Sequence, residues 1–205
     1  MPPVTDTRAD RPLAALLDEV ASTHPAPGGG PTAAWTCALV AALVEMVSAI
    51  ELRKEPDDPA ATEQRRERAA ALRARALELA DLDVEAYSEV LAVLRRRDEP
   101  GHGARLREAL ANAAGPPAEI AEVAAELTAL AADAVGHARG GVRGEALTAA
   151  VLGEAAVRAA APLVAMNLGG ARDDPRVGRM EELTRAAAAD LERAHGGRPT
   201  SPRGR

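Results

Sequence analysis

The segment of this chain best suited to chemistry is Pro25-Ala26-Pro27-Gly28-Gly29-Gly30. Three consecutive glycines let another group approach the backbone closely. The apolar, Ala-rich run that follows reads as a helix, whose first N–H groups and positive dipole end would suit a carboxylate, a phosphate or a polar ligand edge. A flexible hinge is the plainer reading of the same residues. No Gly-Lys-Ser/Thr follows, so the segment is not a P-loop, and no strand precedes it, so it is not a dinucleotide fingerprint.

Carboxylates come next. Asp81 and Asp83 lie two apart within Asp81-Leu82-Asp83-Val84-Glu85-Ala86-Tyr87. On a helix they diverge by about 200°, so only one can face inward, whereas Asp83 and Tyr87, four apart, share a face. Taken alone, Asp83 reads as a surface charge. Lys54 is the only lysine among 25 basic residues. It reads either as an anion contact or as a solvated lysine at a helix C-terminus. Asn167, set between Met166 and Leu168, either hydrogen-bonds a ligand or caps its helix before Gly169-Gly170. Cys37 lies in an apolar run and reads as core, not as a nucleophile. Glu192 and His195 have Glu-x-x-His spacing, but a di-iron bundle needs two such pairs and further glutamates. No metal is expected.

Helices must position these groups. Alanine, leucine, glutamate and arginine dominate the 205 residues, and no β-branched run alternates apolar with polar positions. The turn residues divide the chain into helices over about 11–23, 31–54, 61–97, 104–112, 118–137, 145–168 and 176–194. Leu13, Leu16, Leu17 and Val20 are expected on one face of the first, capped by Asp10 with Pro12 in its opening turn. Pro116-Pro117 should break the path and Pro162 should bend the helix that holds it. Short connections imply antiparallel neighbours. The expected fold is therefore all-α, an up-and-down antiparallel bundle of five to six helices over residues 11–195, with tails at 1–10 and 196–205, the latter disordered.

Hydrophobic residues make up 47% of the chain, but with no phenylalanine, one tryptophan and one tyrosine, the core must be alanine-rich. Such a core buries little area per residue, so closely packed long helices or a helical homodimer must compensate, and an oligomer is expected. A net charge of −6 argues against nucleic-acid binding. The stretch 33–50 contains Glu45 and ends beside Glu51, Arg53 and Lys54, so it reads as a buried helix and not as a membrane span. One cysteine and an N-terminus without a signal-peptide pattern fit the cytoplasm.

Pro-Ala-Pro-Gly-Gly-Gly leading into an Ala-rich helix resembles the opening of the cyclodeaminase/cyclohydrolase family. Collinear segments agree with it: Glu45-Met46-Val47 with Lys54, the stretch 81–87, Pro117-Ala118-Glu119-Ile120-Ala121-Glu122, Glu154-Ala155-Ala156-Val157-Arg158 and Met166-Asn167-Leu168. The resemblance covers about residues 13–191. It implies a helical dimer that binds a tetrahydrofolate derivative and acts as a formimidoyltetrahydrofolate cyclodeaminase or a methenyltetrahydrofolate cyclohydrolase. It also implies Asp83 as general acid/base, ahead of Asp81, and ligand contacts from Gly28, Gly29, Gly30, Lys54, Tyr87 and Asn167. Lys54 would meet the anionic glutamate tail of folate. Glu145 would stand for the carboxylate of a Ser-Asp pair that opens the family's penultimate helix, now Gly144-Glu145. Other departures are Pro31 for a serine after the glycines, Glu51 and Arg53 for a threonine and a glycine, and Arg139-Gly140-Gly141 where an asparagine is expected. Two readings follow: an enzyme with an altered site, or a catalytically degenerate bundle that binds or scaffolds.

Overall fold

A computed structural model describes residues 8, 11–138, 140–171 and 173–196. Among these the chain forms helices and no strands, ordered as α1 (Leu13–Val20), α2 (Gly29–Leu52), α3 (Pro59–Leu94), α4 (His102–Ala113), α5 (Gly115–His137), α6 (Val142–Asn167) and α7 (Pro175–Gly196). Six of the seven have twelve residues or more, which gives the expected all-α bundle with an eight-residue α1 added. Asp10 and nearly all of both expected tails lie outside the described residues.

Local chemistry explains the boundaries. Asp58 caps α3 by accepting a hydrogen bond from the Ala61 amide at 3.0 Å, and Pro59 occupies the first turn, where its missing N–H is harmless. The expected break at Pro116-Pro117 sits one turn earlier. α4 ends at Ala113 and α5 starts at Gly115, so both prolines fall in the opening turn of α5. Pro162 lies inside α6, which continues through it.

The core lies between α2, α5 and α6, with α3 against α2 and α7 across α5 and α6. Alanines dominate it: Ala34, Ala41, Ala76, Ala121, Ala150 and Ala160 are fully buried. Small side chains let helix axes approach, so the backbone itself supplies much of the dispersion contact. Larger side chains, Leu79, Ile120, Leu127 and Val157, fill the remaining space. Cys37 is buried here, its thiol pushed up to about 12 by burial, which bears out its core reading. α2 and α6 are each long and apolar enough to cross a membrane by length and composition, yet each packs an inner face into this core.

α1 carries its four apolar residues on the expected face, but little of that face is buried. Leu16 is buried, but Leu13 and Leu17 are 65% and 57% exposed and Val20 faces outward. The helix is short, and among the described residues its apolar side packs extensively on no other helix.

A tight crossing joins α5 to α6. A Cβ at Gly153 would lie 2.5 Å from Thr128 Oγ1 and 3.3 Å from Thr128 Cα. Thr128 is fully buried and held by its hydroxyl, which donates to the Ala124 carbonyl at 2.7 Å. Gly153→Val should therefore overpack this crossing by ~1–3 kcal/mol. At about 2–4 °C per kcal/mol for a domain of this size, the calorimetric midpoint should fall by several degrees; an unchanged midpoint would rule the crossing out.

Candidate functional site

α2 and α3 run antiparallel, and their register sets the site. Arg65 on α3 meets Ser48 and Glu51 late in α2, Arg73 meets Glu45, and Asp83 meets Gly30 at the start of α2. The glycine run forms the N-terminus of α2. Gly28 is the N-cap, and its carbonyl accepts both the Thr32 amide at 3.2 Å and the Thr32 hydroxyl at 2.8 Å. The amides ahead of Thr32 have no acceptor within the helix. Pro31 takes the place of one such donor and is fully buried, so it fits the first turn without loss of a helical hydrogen bond.

Asp83 packs directly on Gly30. A Cβ at Gly30 would fall under 3.0 Å from Asp83 Cγ, Oδ1 and Oδ2 alike, so no side chain other than hydrogen fits there while the carboxylate keeps its place. This is the close approach that the glycine run suggested. Gly29 lies beside Leu163 of α6, and a Cβ there would meet ordinary contacts at 3.7 and 3.8 Å. Asp83 is half-buried and forms no hydrogen bond or ion pair with any described residue. Burial alone pushes its carboxyl from the ordinary 3.8 up to about 6. An unpaired carboxyl poised near neutral pH can take or give a proton.

The neighbouring candidates separate clearly. Asp81, the second choice, points away and pairs with Arg8 at 2.9 Å. Tyr87 is half-buried one turn beyond Asp83 on the same face. Asn167, the last residue of α6, belongs to the same end of the bundle, but its amide nitrogen donates to the Ala113 carbonyl at 2.8 Å. It ties α6 to the joint between α4 and α5, and the expected helix cap is instead formed at Leu168.

Two expected members lie elsewhere in the subunit. Lys54 follows the C-terminus of α2, whose 24 residues span ~36 Å. It lines a cavity of about 310 Å³ at the opposite end of the bundle from Gly30. Glu145 is exposed in the first turn of α6. Leu163 of α6 is the residue that reaches Gly29, so Glu145 lies ~27 Å away along that helix. Lys54 and Glu145 therefore do not join Asp83 and Gly30 within one subunit. Three cavities are lined respectively by residues around Lys54, around Leu82 and Asn112, and around Pro162 and Met180; Asp83 lines none of the three. Sequence reasoning missed Arg65 and Glu51 as a buried pair at the Lys54 end. The available signal was Glu51, three residues after Ser48 on the inner side of an apolar helix.

The model of the formiminotransferase-cyclodeaminase family matches residues 12–186. Comparison with curated proteins gives no match. Among solved structures, formiminotetrahydrofolate cyclodeaminase from Thermotoga maritima superposes with a TM-score of 0.77 at 25% identity, over 91% of this chain and 93% of that one.

The raised carboxyl has a consequence for stability. Between pH about 4 and 6 the folded chain holds a proton on Asp83 that the unfolded chain has released, so stability falls as pH rises through that window. Asp83→Asn removes the charge and keeps the shape. It should raise the melting temperature at pH 7.5, and the gain should shrink as pH falls through 6 and vanish below about 4. A gain independent of pH, or a loss at pH 7.5, would contradict the assignment.

Proposed function

Because the chain belongs to the formiminotransferase-cyclodeaminase family, we propose that it acts on a tetrahydrofolate derivative, as a formimidoyltetrahydrofolate cyclodeaminase or a methenyltetrahydrofolate cyclohydrolase, with Asp83 as general acid/base. The observation that carries this reading is the Asp83 carboxyl lying on Gly30, without a partner and with its pKa raised to about 6. Both reactions open or close a one-carbon bridge between two nitrogens. Each requires a proton to leave the attacking atom and reach the departing nitrogen. A carboxyl that titrates near neutral pH, set beside the unsatisfied amides of a helix start, suits that transfer.

The departures from the family pattern also support an enzyme over a degenerate bundle. Glu51, Arg53 and Gly144-Glu145 all fall at the Lys54 end, away from Asp83. Pro31 is the exception, and Thr32 supplies the hydroxyl that binds the Gly28 carbonyl. The reading places the protein in the cytoplasm as a homodimer. In its support, α2 carries an outward apolar stripe at heptad-like spacing, with Leu39 60% and Met46 40% exposed and Trp35 half-buried in line with them.

The test is an absorbance assay with methenyltetrahydrofolate and with formimidoyltetrahydrofolate. Wild type should accelerate one of them over buffer. Asp83→Asn should lower kcat by about 10²–10⁴-fold, and Gly30→Ala, which displaces the carboxylate, should lose activity comparably. No acceleration and no binding by calorimetry would reject the folate reading. An Asp83→Asn variant as active as wild type would reject the catalytic role alone.

A further inference from the structure

The two most apolar helices leave much of their length uncovered. Of the most apolar 18 residues of α2 and of α6, only 44% and 39% respectively are buried within the subunit. The two helices lie side by side with α5 on their inner side. They run antiparallel: Gly29 lies beside Leu163 at one end, and Lys54 and Val142 line one cavity at the other. Their outer sides carry Trp35, Leu39, Ala42 and Met46 on α2, and Thr148, Val151 and Ala155 on α6. No charged residue interrupts α2 from Gly29 to Val44. A contiguous apolar face of this kind marks an interaction site.

The face is self-complementary. The α2 stripe recurs at three and four residues and is symmetric about the midpoint of the helix, between Val40 and Ala41. A second α2 laid antiparallel across that midpoint sets Leu39 against the partner's Ala42 and Trp35 against the partner's Met46. By the register of Gly29 on Leu163, the same axis crosses α6 near Val151. There it sets Val151 against the partner's Val151, Thr148 against the partner's Ala155, and Glu145 against the partner's Arg158. Glu145 is exposed and Arg158 has 69% of its side chain exposed, so opposite charges meet at the rim. An axis parallel to the helices would set Glu145 against the partner's Met46 and Arg158 against the partner's Trp35, with no counter-charge across the interface.

We propose that two copies of the chain associate through this face about a two-fold axis at right angles to α2, and that each thereby brings its Arg53 and Lys54 to the glycine turn of the other. Antiparallel α2 helices at an interaxial distance of about 8–10 Å place Gly28 opposite the partner's Arg53, with the partner's Lys54 beside it. Both residues are exposed in their own subunit, remote from its Asp83. Across the interface they meet the outer side of the turn, whereas Asp83 meets Gly30 on its inner side, so they do not neutralise Asp83. With the free amides of the first turn, they suit the anionic end of a ligand whose other end reaches Asp83. That ligand role rests on the folate reading; the interface does not.

Sedimentation velocity on the full chain should give a dimer. Val151→Cys should form an intersubunit disulfide on mild oxidation, because the axis passes beside it. Wild type, whose Cys37 is buried, and Met166→Cys, far from the axis, should not. Glu145→Arg or Arg158→Glu alone should weaken the dimer by about tenfold, and the two together should restore it. A chain carrying both Gly29→Cys and Arg53→Cys should be joined to its partner by a short bis-maleimide, and neither single variant should be. Within one chain ~36 Å of helix separates those two positions. A monomer, partition into lipid vesicles in place of dimerisation, a dimer in which Val151→Cys does not cross-link, or a charge swap without rescue would overturn the interface. A dimer that passes those tests but lacks the link between positions 29 and 53 would overturn the shared glycine turn. None of these readouts uses folate, so a failed folate assay leaves them standing.

Discussion

A carboxylate pressed against a bare Cα is the constraint on which the candidate site depends. Asp83 occupies the space that a side chain at Gly30 would need, and it does so without a hydrogen bond or a counter-charge among the described residues. Two conditions must hold together. The first turn of α2 must present a glycine, and α3 must run antiparallel to α2 in the register that brings residue 83 to residue 30. That register is held along the whole pair, by Leu72, Ala76 and Leu79 in the core, by the exposed pair Arg73 with Glu45, and by the buried pair Arg65 with Glu51. A shift of one helical turn would move the carboxylate off the glycine and back toward water.

The fold tolerates this arrangement at a cost. Most acidic groups here are compensated: Asp81 by Arg8, Glu119 by Arg75, Glu126 by Arg68. Arg75 holds the Glu119 carboxyl below its ordinary range, the reverse of what burial does to Asp83. A half-buried carboxyl left uncompensated destabilises the folded state above its pKa. An alanine-rich core with close helix crossings, such as Gly153 on Thr128, supplies the packing that offsets it.

Much of this was legible from sequence because helices announce their ends. The prolines at 56–59 and 116–117 separate helices, although α3 and α5 start two or three residues before the expected 61 and 118 because proline suits a first turn, and the glycine run signals a close backbone approach, which the structure locates at Gly30 and not at Gly28 or Gly29. The fourfold spacing of Asp83 and Tyr87 also survives. Position within the subunit was not legible. Linear resemblance groups Lys54 and Glu145 with Asp83, and resemblance carries no statement about which end of a bundle a residue occupies. The length of α2 did carry it: 24 helical residues separate its ends by ~36 Å. The ion cluster of Arg65, Glu51 and Asp133 joins three helices across 14 and 68 positions, and nothing in local periodicity reports such a contact. The apolar face of α1 forms where the sequence places it, but such a stripe shows that a partner is wanted and not where that partner lies.

The most direct test is a carbon-detected NMR titration of the Asp83 side-chain carboxyl in the intact wild-type protein. A midpoint near pH 6 is the result expected of an unpaired carboxyl desolvated against Gly30. A midpoint at or below its ordinary value of 3.8 would mean that Asp83 is solvated or paired, and the proton-transfer site described above would not exist.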